Sequence, residues 1–166
     1  SCDLQLPTAS VKRIVYKQLK TGGSPMVING QHVYPSAIDG IGYALSFQCA
    51  GGPMRAIDGS HSAGGESVVV CDSATLPALM TQQQTTVRIA VTFYKTGTVQ
   101  LADGTHTNSP PLPQVGEMTI EQQTSASASF VASAPVSIDI AALNVDIGSS
   151  GSCQVATSTI QVSLGT

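Results

Sequence analysis

Seven glycine-containing turn pairs break this chain into short pieces: Gly22-Gly23, Asn29-Gly30, Asp39-Gly40, Gly51-Gly52, Asp58-Gly59, Gly64-Gly65 and Asp103-Gly104. Spacing of this kind leaves no room for helices of ordinary length. The intervening stretches are β-branched and partly alternating: Ser67-Val68-Val69-Val70-Cys71, Val87 to Tyr94, Pro135 to Ile140, and Ser158 to Leu164. In the last of these, Ile160, Val162 and Leu164 share one face. Asn29-Gly30, set between Met26-Val27-Ile28 and Gln31-His32-Val33-Tyr34, has the composition of a two-residue hairpin turn. Only 72–85 has helical character, with Asp72 or Ser73 as cap, and Pro77 limits it to a short turn. The expected fold is an all-β sandwich of roughly ten or more strands. At 166 residues and 42% hydrophobic content the chain can build one such core.

Charge narrows the function classes. Seven basic residues against ten acidic ones give a net charge of −3, with no run of Lys or Arg. A nucleic-acid binder or a polybasic membrane anchor would need such a run. No apolar stretch approaches the ~20 residues that span a bilayer. The opening Ser1-Cys2-Asp3 is not a secretory leader, so the expectation is a processed chain. The cysteines, at 2, 49, 71 and 153, form no Cys-x-x-Cys, which removes support for a zinc site or a thioredoxin-type centre. Four widely spaced cysteines in a chain with 20 Ser and 16 Thr point to disulfides and an oxidising compartment. There is no Asn-x-Ser/Thr sequon, and a bacterial periplasm or cell surface is the simplest setting. The segment Ile147-Gly148-Ser149-Ser150-Gly151-Ser152 is small and polar and has the composition of a boundary.

The segment beyond that boundary, Cys153 to Thr166, resembles the opening of a chaperone–usher pilin domain: a Cys, then an alternating strand ending in Leu-Gly. Val33-Tyr34-Pro35-Ser36-Ala37-Ile38-Asp39-Gly40-Ile41-Gly42-Tyr43 is similar to the aromatic–proline segment ending in Gly-Ile-Gly of two-domain fimbrial tip adhesins. Arg88 to Gly97 resembles their long strand ending in Lys-Thr-Gly. The resemblance implies an elongated immunoglobulin-like or jelly-roll β-sandwich of the fimbrial adhesin type. Residues 1–148 would be the receptor-binding, lectin-like domain, and 149–166 the linker and opening strand of a pilin domain. It also implies attachment to a host glycoprotein or glycan from the extracellular tip of a fimbrium. Fibre pilin subunits and a periplasmic chaperone would engage the pilin domain by strand addition. The receptor domain alone would be a monomer, with no membrane or nucleic-acid partner. The rival reading is a structural pilin subunit that polymerises without binding a receptor.

By the same resemblance Cys2 pairs with Cys49, closing a loop that would contribute ~4 kcal/mol through the unfolded state. Parity then favours Cys71 with Cys153, the alternative being that Cys153 pairs with a Cys of the pilin domain. The mannose-binding type 1 fimbrial adhesin family builds its pocket from the N-terminal residue, an Asn-Asp pair after the second Cys, a loop Asp and a Gln-x-Asn. Here Ser1 opens the chain, Ala50-Gly51-Gly52 comes after Cys49, Asp58 stands for the loop acid, and Gln123-Thr124-Ser125 replaces Gln-x-Asn. Too few carboxylates and amides remain to grip mannose hydroxyls. The candidate ligand-binding residues are therefore Ser1, Gly51, Arg55, Asp58, His61, Gln123 and Ser125, centred on the Gly-rich loop from Ala50 to Glu66. With no Trp, a platform for a sugar ring would fall to Tyr34, Tyr43 or Tyr94, which tilts the expectation towards a protein or extended matrix ligand.

No enzyme is expected, since there is no Gly-x-Ser-x-Gly elbow and no acid pair placed for glycoside hydrolysis. His32, His61 and His106 match no metal-ligand spacing, and Asp103 to Asn108 lacks the spaced acids of a calcium loop. Accordingly no cofactor and no metal is assigned.

Overall fold

Strand β1 (Val11–Gln18) shows how the sequence builds its layers. Its side chains alternate, with Ile14 and Tyr16 buried and Lys17 exposed, so one face looks into a core and the other into water. The computed structural model describes residues 11–20, 26–49, 52–56, 67–81, 84–98, 106–109, 111–125, 127–141, 143–147, 153–154 and 157–165. After β1 come β2 (Met26–Ile28), β3 (Gln31–Pro35), β4 (Ile41–Cys49), β5 (Arg55–Ala56) and β6 (Ser67–Asp72). A 3-10 helix, Pro77–Thr81, is followed by β7 (Gln84–Lys95), β8 (His106–Ser109) and β9 (Leu112–Gln123). The chain continues through β10 (Val131–Ala132), β11 (Val136–Ile140), β12 (Leu143–Ile147), β13 (Cys153–Gln154) and β14 (Thr157–Gly165). The all-β expectation therefore holds, and Pro77 does confine the helical stretch to a short 3-10 segment.

Two antiparallel sheets face each other. One runs β10-β9-β1-β6, with β11 also on β9; the other runs β14-β7-β4-β3-β2, with β5 also on β4. Strand β4 lies between β3 and β7 and is buried almost throughout, with Tyr43, Leu45, Phe47 and Cys49 in the core and the small Gly42 and Ala44 alternating with them. Across the layers Tyr16 meets Phe47 with ring centroids 4.7 Å apart, and Ile14, Leu45, Val87, Ile89, Val91, Met118 and Ile120 fill the space around them. Each such side chain contributes about 1.5–3 kcal/mol by leaving water. Strands β13-β12-β8 form a separate, smaller hydrogen-bonded sheet.

The hairpin at Asn29-Gly30 forms as its composition requires. Asn29 has φ +51° and Gly30 φ +75°, the left-handed pair that lets Ile28 pair with Gln31 without splaying the strands. Within 149–166, β14 pairs with β7 in unbroken register from Thr157 opposite Thr92 to Gly165 opposite Gln84.

The disulfide assignment is corrected. Cys49 is bonded to Cys71, with Cα atoms 6.5 Å apart, so neither Cys2–Cys49 nor Cys71–Cys153 forms. The reason is packing between layers: β4 ends at Cys49 on one sheet where β6 brings Cys71 across from the other, within bridging distance. Cys2 lies outside the described residues, and Cys153 pairs through its backbone with Ile147 on β12.

Candidate functional site

The disulfide marks one pole of the sandwich. There β1 begins at Val11 opposite Gln123, Arg13 lies opposite Asp72, and β4 ends at Cys49 opposite Val87. Beside the disulfide is a cleft of about 260 Å³. One wall is the segment Gly52, Pro53 and Arg55; the other is four consecutive residues of β6, Val69 to Asp72; Thr75 and Leu76 close one side.

Each wall has a local cause. Gly52 N–H donates to the Cys49 carbonyl at 3.0 Å, and the Gln48 side-chain amide donates to the Gly52 carbonyl at 3.1 Å, so the chain turns immediately after the disulfide. A Cβ on Gly52 would lie 3.1 Å from Leu76 Cδ1, tighter than ordinary contact, so a side chain there would crowd the cleft wall. Arg55 is held by pairing of β5 with β4, opposite Phe47, and its side chain is exposed. On the other wall β6 carries a bulge. Val69 pairs with Val15 and Cys71 with Ile14, leaving Val70 as the extra residue, and both Val70 and Cys71 turn inward. Asp72 Oδ1 accepts from the Thr75 N–H at 2.9 Å and the Thr75 hydroxyl at 3.2 Å, a side-chain cap that orients Thr75 and Leu76. The lining thus carries one cation, one carboxylate and one hydroxyl over an apolar floor.

Next to the cleft, Lys12 is buried, its N–H donating to Ser73 Oγ at 3.1 Å, and burial lowers its ammonium pKa. On the far side of β1, Arg13 pairs with Glu121 at 2.5 Å and its guanidinium stacks 3.7 Å from the centroid of Phe130.

Of the residues singled out in the sequence, Arg55 lines the cleft. Gln123 and Ser125 lie at the same pole but on the β9 side, with β1 between them and β6. Gln123 Nε2 donates to the Ala128 carbonyl at 2.7 Å, and Ser125 Oγ lies 3.3 Å from Ser127 Oγ, so both serve the turn after β9. Ser1, Gly51, Asp58 and His61 fall outside the described residues. Tyr34 and Tyr43 are corrected as sugar platforms: both are fully buried, their rings 5.7 Å apart in the core. His32 is buried as well, and among the described residues no group of three His, Cys, Asp or Glu is placed to hold a metal.

The sequence reading missed Pro53, Val69, Asp72, Thr75 and Leu76 as cleft residues. Only the Asp72-x-x-Thr75 cap left a local signal; the rest become neighbours through packing between the sheets. No protein-family model and no curated protein matches the chain.

Proposed function

We propose that this chain is the receptor-binding domain of a bacterial fimbrial tip adhesin, attaching to host cells or matrix from the extracellular end of the fibre. The observation that carries the reading is the cleft beside Cys49–Cys71, at the pole where the turns after β4 and β9 lie. Loops at one end of a rigid sandwich are a common place for binding residues. The ordered segments from Val33 to Tyr43, Arg88 to Gly97 and Cys153 to Thr166 add support through their resemblance to that family. A role as a structural pilin is the weaker reading, because β14 completes the edge of β7 from within the same chain.

Attachment of beads coated with the purified chain to host epithelial cells and matrix-coated surfaces tests the proposal. Selective attachment that falls with Arg55→Ala is the expected result. Beads that bind no surface above an uncoated control would overturn it. A chain that aggregates until a donor-strand peptide is supplied would favour the pilin.

A further inference from the structure

We propose that the cleft takes an extended acidic peptide segment of a protein ligand, which adds as a strand to the outer edge of β6 and sets a carboxylate against Arg55. This rests on the receptor-binding reading and narrows the ligand class.

The cleft runs beside a strand: Val69 to Asp72 of β6 border it, with Val70 and Cys71 turned inward at the bulge and Val69 and Asp72 more accessible. Strand β6 is the last of its sheet, paired with β1 on one side. Among the described residues no strand pairs with its other side; at its end the Asp72 carbonyl accepts from the Leu76 N–H at 3.0 Å, and the edge before it is available to a strand. An extended segment pairs with that edge by main-chain hydrogen bonds, with pockets for alternate side chains supplying selectivity.

Three features say which segment. Val69, on the lining and 43% exposed, offers an apolar rest for a side chain of the segment. Arg55 stands on the wall opposite β6, an exposed guanidinium suited to a two-point grip on a carboxylate. Asp72 holds its Oδ1 on Thr75, and among the described residues no ion pair joins it to Arg55. Saccharide recognition has less to work with: among the described residues the lining contains no aromatic ring and no Asn or Gln side chain.

The test uses the whole purified chain and fluorescently labelled octapeptides of alternating Thr and Val carrying one central Glu, Gln or Lys. The Glu peptide is expected to bind at least roughly tenfold more tightly than the Lys peptide, the scale of one charge-assisted contact. Arg55→Glu, at an exposed position, should invert that order while leaving the circular dichroism spectrum unchanged. The Glu peptide N-methylated at alternate residues keeps its side chains but loses its edge donors, and its binding should vanish. Equal binding of the three peptides, no binding of any, or undiminished binding after N-methylation would each overturn the proposal. So would Arg55-dependent binding of sialyllactose in place of the peptides, which would make the cleft a saccharide site. Host-surface attachment with peptide failure sinks only this inference, whereas failure of attachment as well sinks the receptor-binding reading too.

Discussion

The side-chain amide of Gln18 on β1 donates to the hydroxyl of Tyr43 on β4 at 3.0 Å, a polar tie between the two sheets inside an apolar core. The same amide accepts from the Tyr16 hydroxyl at 2.5 Å and donates to the Lys20 carbonyl at 2.5 Å. A buried network of this kind stabilises only while its members keep their partners. Gln18→Leu should therefore destabilise the domain by about 1–3 kcal/mol in spite of its added hydrophobicity. Chemical denaturation monitored by fluorescence checks this, and a neutral result would mean the amide is dispensable.

Burial pushes the Tyr43 phenol up to about 12, against the opposing pull of its bond to Gln18. Below pH ~10 the hydroxyl is protonated in both folded and unfolded chains. As pH rises from there, the unfolded chain ionises first, so stability falls until the folded value is passed. That loss should amount to about 2–3 kcal/mol between pH ~10 and ~12. Lys12 acts with the opposite sign: its lowered pKa means the folded chain sheds the proton first, so its contribution improves as pH climbs towards 10.5. Comparing alkaline unfolding of the native chain with Tyr43→Phe separates the two, since only the tyrosine component disappears.

Gly116 is where β9 makes room for Tyr16, whose ring and hydroxyl occupy the space that a Cβ would need. Gly116→Ala should cost about 1–3 kcal/mol by overpacking a buried site. A melting temperature equal to that of the native chain would show that Tyr16 can move aside freely.

Non-reducing peptide mapping should recover Cys49 and Cys71 in one linked fragment, their sequence separation being 22. Replacing both with Ala should lower stability by about 3 kcal/mol, the unfolded-state entropy of a loop that size. Recovery of a fragment joining Cys2 to Cys49 would contradict the Cys49–Cys71 pairing.

Gly52→Val offers a steric probe of the cleft, because its side chain would press on Leu76. Stability should change little, whereas host-surface attachment by coated beads should drop. Unchanged attachment would place the contact surface elsewhere on the molecule.

Local chemistry was legible and long-range packing was not. Asn29-Gly30 carries its own turn, Pro77 opens no more than a short 3-10 helix, and the β-branched run from Val87 to Tyr94 carries its own strand. Arg55 could be singled out because it is a cation in a Gly-rich stretch. The wall opposite it could not, since β6 reaches β4 only when two sheets stack, and no spacing in the chain encodes which strand ends will meet. The tyrosines misled for a related reason. Tyr34 and Tyr43 have the amphipathic character of a binding platform, yet Tyr43 finds a hydroxyl partner in Gln18, twenty-five positions away, and can be buried.

Because Cys49 and Cys71 fasten both ends of the chain between them, that stretch is a handle whose two roots cannot separate. Lengthening such a tethered stretch costs little, only about 0.6 kcal/mol for each doubling. Changes in the length of the chain between the two cysteines would therefore leave the bridged ends of β4 and β6 where they are, so the stack of the two sheets is insulated from them.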